Sequence, residues 1–543
     1  MSGGNRGRVG VRALVAALGV LAVLAAGGCE ALFGIDAPTL VAPDGGGADV
    51  SPGFSFAIVP AKVNVPLGGV SFVDVRVVRQ GGFDEPVEVV AVGPPSGLFA
   101  PGTTIAPGET SGRVQVSASA PLAIGGTFTL ALAASSASFP TPLARMVTAL
   151  VSGAPGSVDL SFGVNGVATI DSGTSAALGS VQVTADDKIV AAGSTFAPDN
   201  RYLLALLIKN GAPDVPFGGF AVVKTSFAGT SPTSEGGPAR RRADGTIVQV
   251  GTRKQMLDDE VLFDLGVQGF LEDGEVDPMF GAGGAGQSLV DLGGTFETAQ
   301  FLLERADGKL LVAGPRGGPF SNGTSIALLD AHGVLDTAAF HAPDGFVDLD
   351  LSTARGQLVV DAEGRLYIAG SSRATGPELR LVRLTADGVL DATFGTGGSI
   401  DVAQDGLNER AAAMLLRPDG KLLVTASAGA VGSGLSTLVI YRFAADGTVE
   451  ARLTPPVLAG LAVTDLALDA QGRLLALAGR QLARFDPDGG VDITFGAGGV
   501  ATLASPTSGA ALALQSDGRI VIAGSSIPGN GAPTVPIVER LWF

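Results

Sequence analysis

Cysteine occurs once in this chain, as Cys29, histidine twice, as His332 and His341, and tryptophan once, as Trp542. A single thiol cannot form an internal disulfide, so the folded parts rest on buried apolar area. Two histidines on either side of the Asp336 turn make no zinc or acid–base site without further ligands, and surface-loop positions are expected for both. Three tyrosines, Tyr202, Tyr367 and Tyr441, are too few for repeated sugar or base stacking, whereas the 26 phenylalanines read as core. Helical periodicity is nearly absent after the start, and there is no serine-nucleophile elbow. Basic residues are outnumbered, 35 Lys and Arg against 52 Asp and Glu, for a formal charge of −17. A surface of that sign repels nucleic acid and anionic lipid headgroups.

What the chain has is one phrase repeated seven times between Val158 and Phe543. One half is an Asp, two or three residues, then Phe-Gly: Asp159 with Phe162-Gly163, Asp214 with Phe217-Gly218, Asp277 with Phe280-Gly281, Asp391 with Phe394-Gly395, Asp492 with Phe495-Gly496. Asp336 with Phe340 is a looser copy and Glu450 a worn one, since Glu450-Ala451-Arg452-Leu453 has lost Phe-Gly. The other half is a polar turn feeding an apolar run, as in Asp307-Gly308-Lys309-Leu310-Leu311-Val312-Ala313-Gly314, with counterparts at Asp187, Asp244, Glu363, Asp419, Gln471 and Asp517. Asp-Gly tolerates the dihedrals of a tight hairpin reversal, so strands are expected on both sides. The Ala-Gly after the run suits a crowded place where neighbouring sheets converge. The Asp of the Phe-Gly phrase reads as an Asx-type turn cap, with the Phe packed between sheets.

A third strand such as Glu378–Leu384 and a fourth after Gly397-Gly398 complete a four-stranded unit of about 55 residues, the size of a propeller repeat. One such sheet cannot cover its own apolar faces, and closing seven into a ring leaves no end sheet exposed. The first unit opens with Gly166–Ile170, whereas Val538–Phe543 has no strand after it, so the opening strand is expected to complete the last sheet. The fold class is therefore all-β, with a seven-bladed β-propeller over residues 157–543. The phrases resemble the delta-60 repeat family of bacterial β-propeller proteins, best at Gly388 to Gly398 with Arg417-Pro418-Asp419-Gly420-Lys421. The resemblance covers about seven tenths of the chain and implies a propeller, with no shared activity.

Ahead of the repeats the chain changes character twice. Residues 1–28 carry Arg6, Arg8 and Arg12, an apolar run from Ala13 to Ala26, then Gly27-Gly28, the pattern of a signal peptide too short to span a membrane. Cys29 follows at once, which resembles the bacterial lipobox and implies lipid attachment at Cys29 and a membrane contact made by that lipid. Removing the three leading arginines takes the formal charge from −17 to −20. Residues 29–53 read as a flexible linker, rich in Pro, Asp and Gly. From 54 to 153 the pattern alternates: Val73, Val75, Val77; Val114, Val116; Phe128, Leu130, Leu132. About seven half-buried strands of this kind indicate a β-sandwich. The stretch from Gly82 to Gly97 is similar to bacterial immunoglobulin-like domains and implies a spacer ahead of the ring.

Asp486-Pro487-Asp488-Gly489-Gly490-Val491-Asp492 spaces three carboxylates like part of a calcium loop, but lacks the twelfth-position glutamate, and a solvated turn is expected. Sialidase-type Ser-x-Asp-x-Gly-x-Thr-Trp boxes and the Trp-docking repeats of quinoprotein dehydrogenases are absent. No cofactor or metal is expected, and no catalytic residue. The short turns share one face of the ring, while Ser194–Arg201, Ala228–Arg240, Gly314–Gly323, Ser371–Pro377, Ala426–Leu435 and Ser525–Thr534 vary on the other. The expected function is a lipid-anchored, exported cell-envelope protein with a non-catalytic binding or scaffolding ring, engaging a protein or envelope component through the long-loop face. The alternative is a propeller enzyme of glycosidase or lyase type, with acidic residues at the axial channel.

Overall fold

A computed structural model of the chain describes residues 52–543, apart from ten short stretches at 197–199, 228–233, 258–259, 318–322, 353–357, 373–377, 403–406, 431–436, 505–506 and 528–531. The signal peptide, Cys29 and nearly all of the linker therefore lie outside the described residues. Two compact units follow one another, the first ending at Val151 and the second running Ser152–Phe543.

Among its described residues the first unit holds nine strands rather than about seven. Gly53–Val59, Val70–Gln80, Ser111–Ala118 and Leu98–Phe99 form one antiparallel sheet, and Lys62–Pro66, Leu143–Ser152, Thr127–Ser135, Val87–Val92 and Thr103–Ile105 form a second. Alternation places Val73, Val75, Val77, Val114, Val116, Leu130 and Leu132 in one core shared by both sheets. The strands missed from sequence, Leu98–Phe99 and Thr103–Ile105, are too short to show an alternating pattern.

Seven antiparallel sheets make up the second unit. The first is Ala176–Val183, Ile189–Thr195, Tyr202–Leu207, Val222–Thr225; the second Ser234–Arg241, Ile247–Leu257, Glu260–Phe270, Gln287–Val290; the third Phe301–Glu304, Leu310–Arg316, Gly323–Leu329, Phe346–Leu349. The fourth opens with two short pieces, Leu351–Ser352 and Leu358–Val360, before Leu366–Ser372, Leu379–Leu384 and Ser399–Val402. The fifth is Leu407–Leu416, Leu422–Ala430, Thr437–Phe443, Val449–Leu453, and the sixth Asp465–Leu468, Leu474–Ala478, Gln481–Phe485, Val500–Thr502. The seventh takes Thr507–Leu514, Ile520–Ser526 and Val535–Leu541 from the end of the chain and Val167–Thr169 from its beginning. Ala168 pairs with Val538 in that sheet, so the two ends of the repeat region are hydrogen-bonded together.

Each sheet packs on the next through a separate apolar cluster, and the cycle closes. Leu475 and Leu477 of the sixth sheet meet Ile520 and Ile522 of the seventh, while Val521, Ala523 and Val538 of the seventh meet Leu203 and Ala205 of the first. First strands of neighbouring sheets contact one another, which puts them nearest the axis. Second and third strands are buried on both faces, which is why Ile520–Ser526 and Tyr202–Leu207 read as continuous apolar runs.

Two details differ from expectation. The crowding at Ala-Gly comes mainly from within the sheet: a side chain on Gly193 or Gly524 would strike the carbonyl of Ala177 or Ser508 on the adjacent first strand, and one on Gly314 the carbonyl of Thr298, just ahead of it. Register shifts in the first strands of the first and seventh sheets, at Leu178/Ser180 and Gly509/Ala511, lie beside two of these contacts. The second sheet also carries a hairpin of two eleven-residue strands, Ile247–Leu257 and Glu260–Phe270, where the corresponding strands elsewhere have five to nine.

Candidate functional site

The repeated phrase builds a junction between sheets. In the fourth sheet, Asp391 Oδ1 accepts from the Thr393 N–H and hydroxyl, closing the turn, while Oδ2 accepts from Arg383 Nε at 2.8 Å. The Thr393 hydroxyl holds the Asp391 carboxyl below the usual carboxylate range against burial, with Arg383 adding to it. The Arg383 guanidinium lies 4.6 Å from the centre of the Phe394 ring. Asp492 with Arg484 over Phe495, and Asp159 with Arg540 over Phe162, repeat the arrangement. Where the third strand lacks that arginine, the lysine after the hairpin turn takes its place: Lys188 reaches Asp214 and Lys309 reaches Asp336.

The buried Phe ring then meets a glycine of the next sheet. Gly211, Gly388 and Gly447 all have positive φ, and a side chain on any of them would come within 2.8 Å of Phe162, Phe340 or Phe394. Beside five of the rings a backbone bond crosses the seam: Gly163 N–H donates to the Asn210 carbonyl, Gly218 to Asp273, Gly281 to His332, His341 to Asp387 and Gly496 to Pro155, at 2.6–2.9 Å. The polar groups of the phrase are thus used in holding sheets together.

The histidines stand on surface turns as expected, His332 exposed and His341 with a 41% exposed side chain, and only their backbone groups enter the seams. The His332 carbonyl and the His341 N–H are both seam partners, and His341 stands where other copies have glycine, at φ +41°. Asp486 Oδ1 accepts from the Asp488 and Gly490 N–H groups, a turn cap as expected. Among the described residues no group of three His, Cys, Asp or Glu side chains could hold a metal. The three tyrosines are buried.

Sequence reasoning missed the polar residues that closure brings to the axis. Asp465 opens the first strand of the sixth sheet, and its carboxylate accepts from the Leu466 N–H and, across the seam, from the Leu512 N–H, both at 2.8 Å. Burial pushes its carboxyl up to about 6, against these two bonds and the field of Arg240. Arg240, from the first strand of the second sheet, feels both Asp465 and Glu304, and burial lowers it. Burial likewise raises Glu304, which pairs with Arg242 at 3.3 Å. A lone Asp in the apolar strand Asp465–Leu468 was the available signal, but its charged neighbour Arg240 lies far away in sequence, on another sheet. A second cluster joins Glu409, Tyr441 and Arg452 of the fifth sheet: Tyr441 Oη donates to Glu409 Oε2 at 2.6 Å and Arg452 Nη2 to Oε1 at 2.9 Å. Burial and Glu409 push the Tyr441 phenol up to about 12. The six variable loops each fall partly outside the described residues.

A family model described as a β-propeller domain of unknown function, DUF5122, matches residues 362–394, 417–452 and 515–538. Those stretches cover hairpin turns and strands of the fourth, fifth and seventh sheets. The second unit is β-propeller-like. Among curated proteins none matches the chain. Similar solved structures include puromycin hydrolase, at 16% identity and TM-score 0.37 over 69% of this chain and 53% of that one. The extracellular domain of a one-component system from B. thetaiotaomicron is 9% identical, with TM-score 0.32 over 68% of this chain and 39% of that one. PorZ, a surface component of the type-IX secretion system of Porphyromonas gingivalis, is 12% identical, with TM-score 0.36 over 81% and 55%. The chain spans about half the length or less of these three proteins, and nothing is carried over from them.

Proposed function

We propose that the chain is an exported lipoprotein whose seven sheets form a seven-bladed propeller, carried behind an immunoglobulin-like spacer and anchored through lipid on Cys29. The ring acts as a non-catalytic binding or scaffolding module for a protein or envelope component, contacted through the six variable loops. One observation carries this reading: Asp159, Asp214, Asp391 and Asp492 are all engaged in capping turns or neutralising a Lys or Arg of their own sheet, which leaves them structural work. Sheet-to-sheet variation is then left to the loops.

The anchor and the ring are tested separately. Labelled palmitate enters the wild type and is expected to be lost from Cys29→Ala; equal labelling of both removes the anchor. Shortening the six loops to Gly-Gly links, with folding checked by Trp542 emission, is expected to abolish capture of the component that the wild type retains from envelope extract. Retention by the shortened chain places binding elsewhere. A second reading is favoured by Asp465, whose carboxyl at about 6 stands in the field of Arg240 and suits acid–base chemistry on an envelope polymer. Polymer cleavage by the wild type that Asp465→Asn abolishes would establish it.

A further inference from the structure

The axis carries a cation that ring packing does not use. Arg240 and Arg241 end the first strand of the second sheet, and Arg242 follows at once. Arg241 pairs with Asp186 at 3.6 Å and with Glu272 at 3.0 Å, and Arg242 pairs with Glu304 at 3.3 Å. Arg240 forms no ion pair among the described residues. Its one hydrogen bond there runs from Nε to the Leu302 carbonyl of the third sheet, at 3.4 Å, so both Nη groups are left without an acceptor.

The neighbouring seam shows what is missing here. Two residues before the one that closes each inner hairpin stands Gln182 in the first sheet, Arg240 in the second and an alanine, valine or leucine in the other five. Gln182 satisfies the free edge of the next sheet in both senses: Oε1 accepts from the Arg241 N–H at 2.7 Å and Nε2 donates to the Arg241 carbonyl at 3.3 Å. A guanidinium can only donate. In the third sheet the Arg305 N–H closes the hairpin on the Lys309 carbonyl, so antiparallel alternation turns the N–H and C=O of Leu302 and Glu304 away from the second strand and toward the axis. Neither N–H has a partner among the described residues. Donors of two kinds thus share one free edge with nothing to receive them.

The carboxylates nearby are already engaged. Asp465 Oδ1 and Oδ2 accept from the Leu466 and Leu512 N–H groups, and Glu304 is matched by Arg242. Arg240 nevertheless feels Asp465, and since the second and sixth sheets are not neighbours, that interaction crosses the axis. A largely buried charge needs a counter-charge or hydrogen bonds of its own, and an anion supplies both.

We propose that a small oxoanion, a carboxylate or a phosphate group, binds on the axis between the second and third sheets, held by the Arg240 Nη groups and the Leu302 and Glu304 N–H groups. Oxygens suit this set because the guanidinium fork takes two of them at once and each N–H takes a lone pair. Asp465, on the far wall, opposes the ligand. The site depends on neither the variable loops nor lipid on Cys29, and it requires no reaction at Asp465.

Calorimetric titration of the full chain with inorganic phosphate and with acetate, at neutral pH and fixed ionic strength, is the test. One saturable site is expected; heat with phosphate alone marks a phosphate-bearing ligand, with acetate alone a carboxylate, and with both a site that accepts either. Arg240→Gln is expected to weaken Kd at least about tenfold, and Arg240→Lys by less, because a point charge keeps the attraction and loses the fork. Asp465→Asn is expected to tighten Kd about threefold by removing the opposing charge, while Arg241→Gln, whose guanidinium is paired elsewhere, leaves it within about twofold. The absence of saturable heat with either probe overturns the proposal, and so does a Kd that Arg240→Gln leaves unchanged, since the anion then sits elsewhere. Should Arg240→Gln fail to fold, the opposite shifts in Arg240→Lys and Asp465→Asn decide, and binding that neither variant moves overturns the proposal equally.

Discussion

Asp159→Ala is the sharpest perturbation of ring closure. Asp159 lies at the start of the repeat region, yet its Oδ2 accepts from Arg540 Nε at 2.8 Å and pairs with Arg519 Nη1 at 3.0 Å, both near the end of the chain. Burial works to raise the Asp159 carboxyl, but the Ser161 hydroxyl, Arg540 and Arg519 outweigh it and hold it below the usual carboxylate range. Truncation leaves the buried Arg540 guanidinium without its counter-charge, and breaking a buried pair this way costs about 3–5 kcal/mol. The assay is urea unfolding followed at Trp542, the sole tryptophan, which is stacked against Arg519 at 5.0 Å in the closing sheet. The midpoint is expected to fall by the equivalent of that cost with an unchanged m-value. Asp391→Ala removes the same partner from Arg383 on the fourth sheet, far from Trp542 along the ring. In a closed ring that unfolds as one unit, it shifts the same Trp542 transition by a similar amount. An Asp159→Ala shift under about 1 kcal/mol, or an Asp391→Ala chain whose Trp542 transition does not move, refutes the reasoning, because an open stack unfolds piecewise.

Gly447→Ala and Gly472→Ala separate backbone strain from seam packing. Both glycines have positive φ, but a side chain meets the Phe394 ring at 2.8 Å only from Gly447, while nothing lies within 4 Å of Gly472. Gly472→Ala is expected to cost about 1 kcal/mol and Gly447→Ala about 1–3 kcal/mol more by thermal unfolding; equal costs would show that the seam has slack. Asp465 gives a pH signature. An acid that holds its proton more tightly folded than unfolded stabilises the fold below the ordinary Asp range, and that contribution falls away as pH rises from about 4 to about 6. Relative to Asp465→Asn, the wild type should lose about 1–3 kcal/mol across that window. A constant difference between the two chains across the window contradicts the placement of Asp465 in a desolvated axis.

The repeat, the strand order and the closing strand were all legible, because a turn phrase recurring at near-constant spacing fixes where sheets begin and end. The reason for the phrase was only half legible. Asp as turn cap and Phe as core follow from residue type, but the arginine that completes the unit was overlooked. Its signal is a spacing: Arg383 precedes Asp391, Arg442 precedes Glu450 and Arg484 precedes Asp492 by eight residues each. In the fourth case the pair is split between the two ends of the repeat region, Arg540 near the end and Asp159 at the beginning, so no local spacing shows it. Asp465 and Arg240 were not legible, since no local pattern says which first strands face one another across an axis. The long hairpin Ile247–Phe270 was hidden for a related reason: strand residues beyond the sheet carry the same alternation as those within it.

The worn copy shows what the phrase contributes by showing what replaces it. In the fifth sheet Leu453 stands where Phe is expected, and it crowds Gly489 of the sixth sheet as Phe394 crowds Gly447 of the fifth. A leucine fills less of the seam than a phenylalanine, and a small cleft with room for about 20 Å³ lies there, lined by Arg417, Leu423, Ile440, Leu453 and the Asp486–Gly489 turn. The segment after the fourth strand compensates: Leu458, held at φ +59°, and Val463 bury themselves between the fifth and sixth sheets beside Leu438, Leu474 and Phe485. Arg417 Nη1 donates to the Pro487 carbonyl at 3.3 Å, as Arg305 Nη1 does to Ala386 at another seam, so the cross-seam bond from the hairpin turn survives the loss of Phe-Gly. Five seams thus have three parts, an apolar cluster, a ring against a glycine and one or more cross-seam hydrogen bonds. A ring of such seams tolerates the decay of one part at one position, because the adjoining sheets remain held on their other faces.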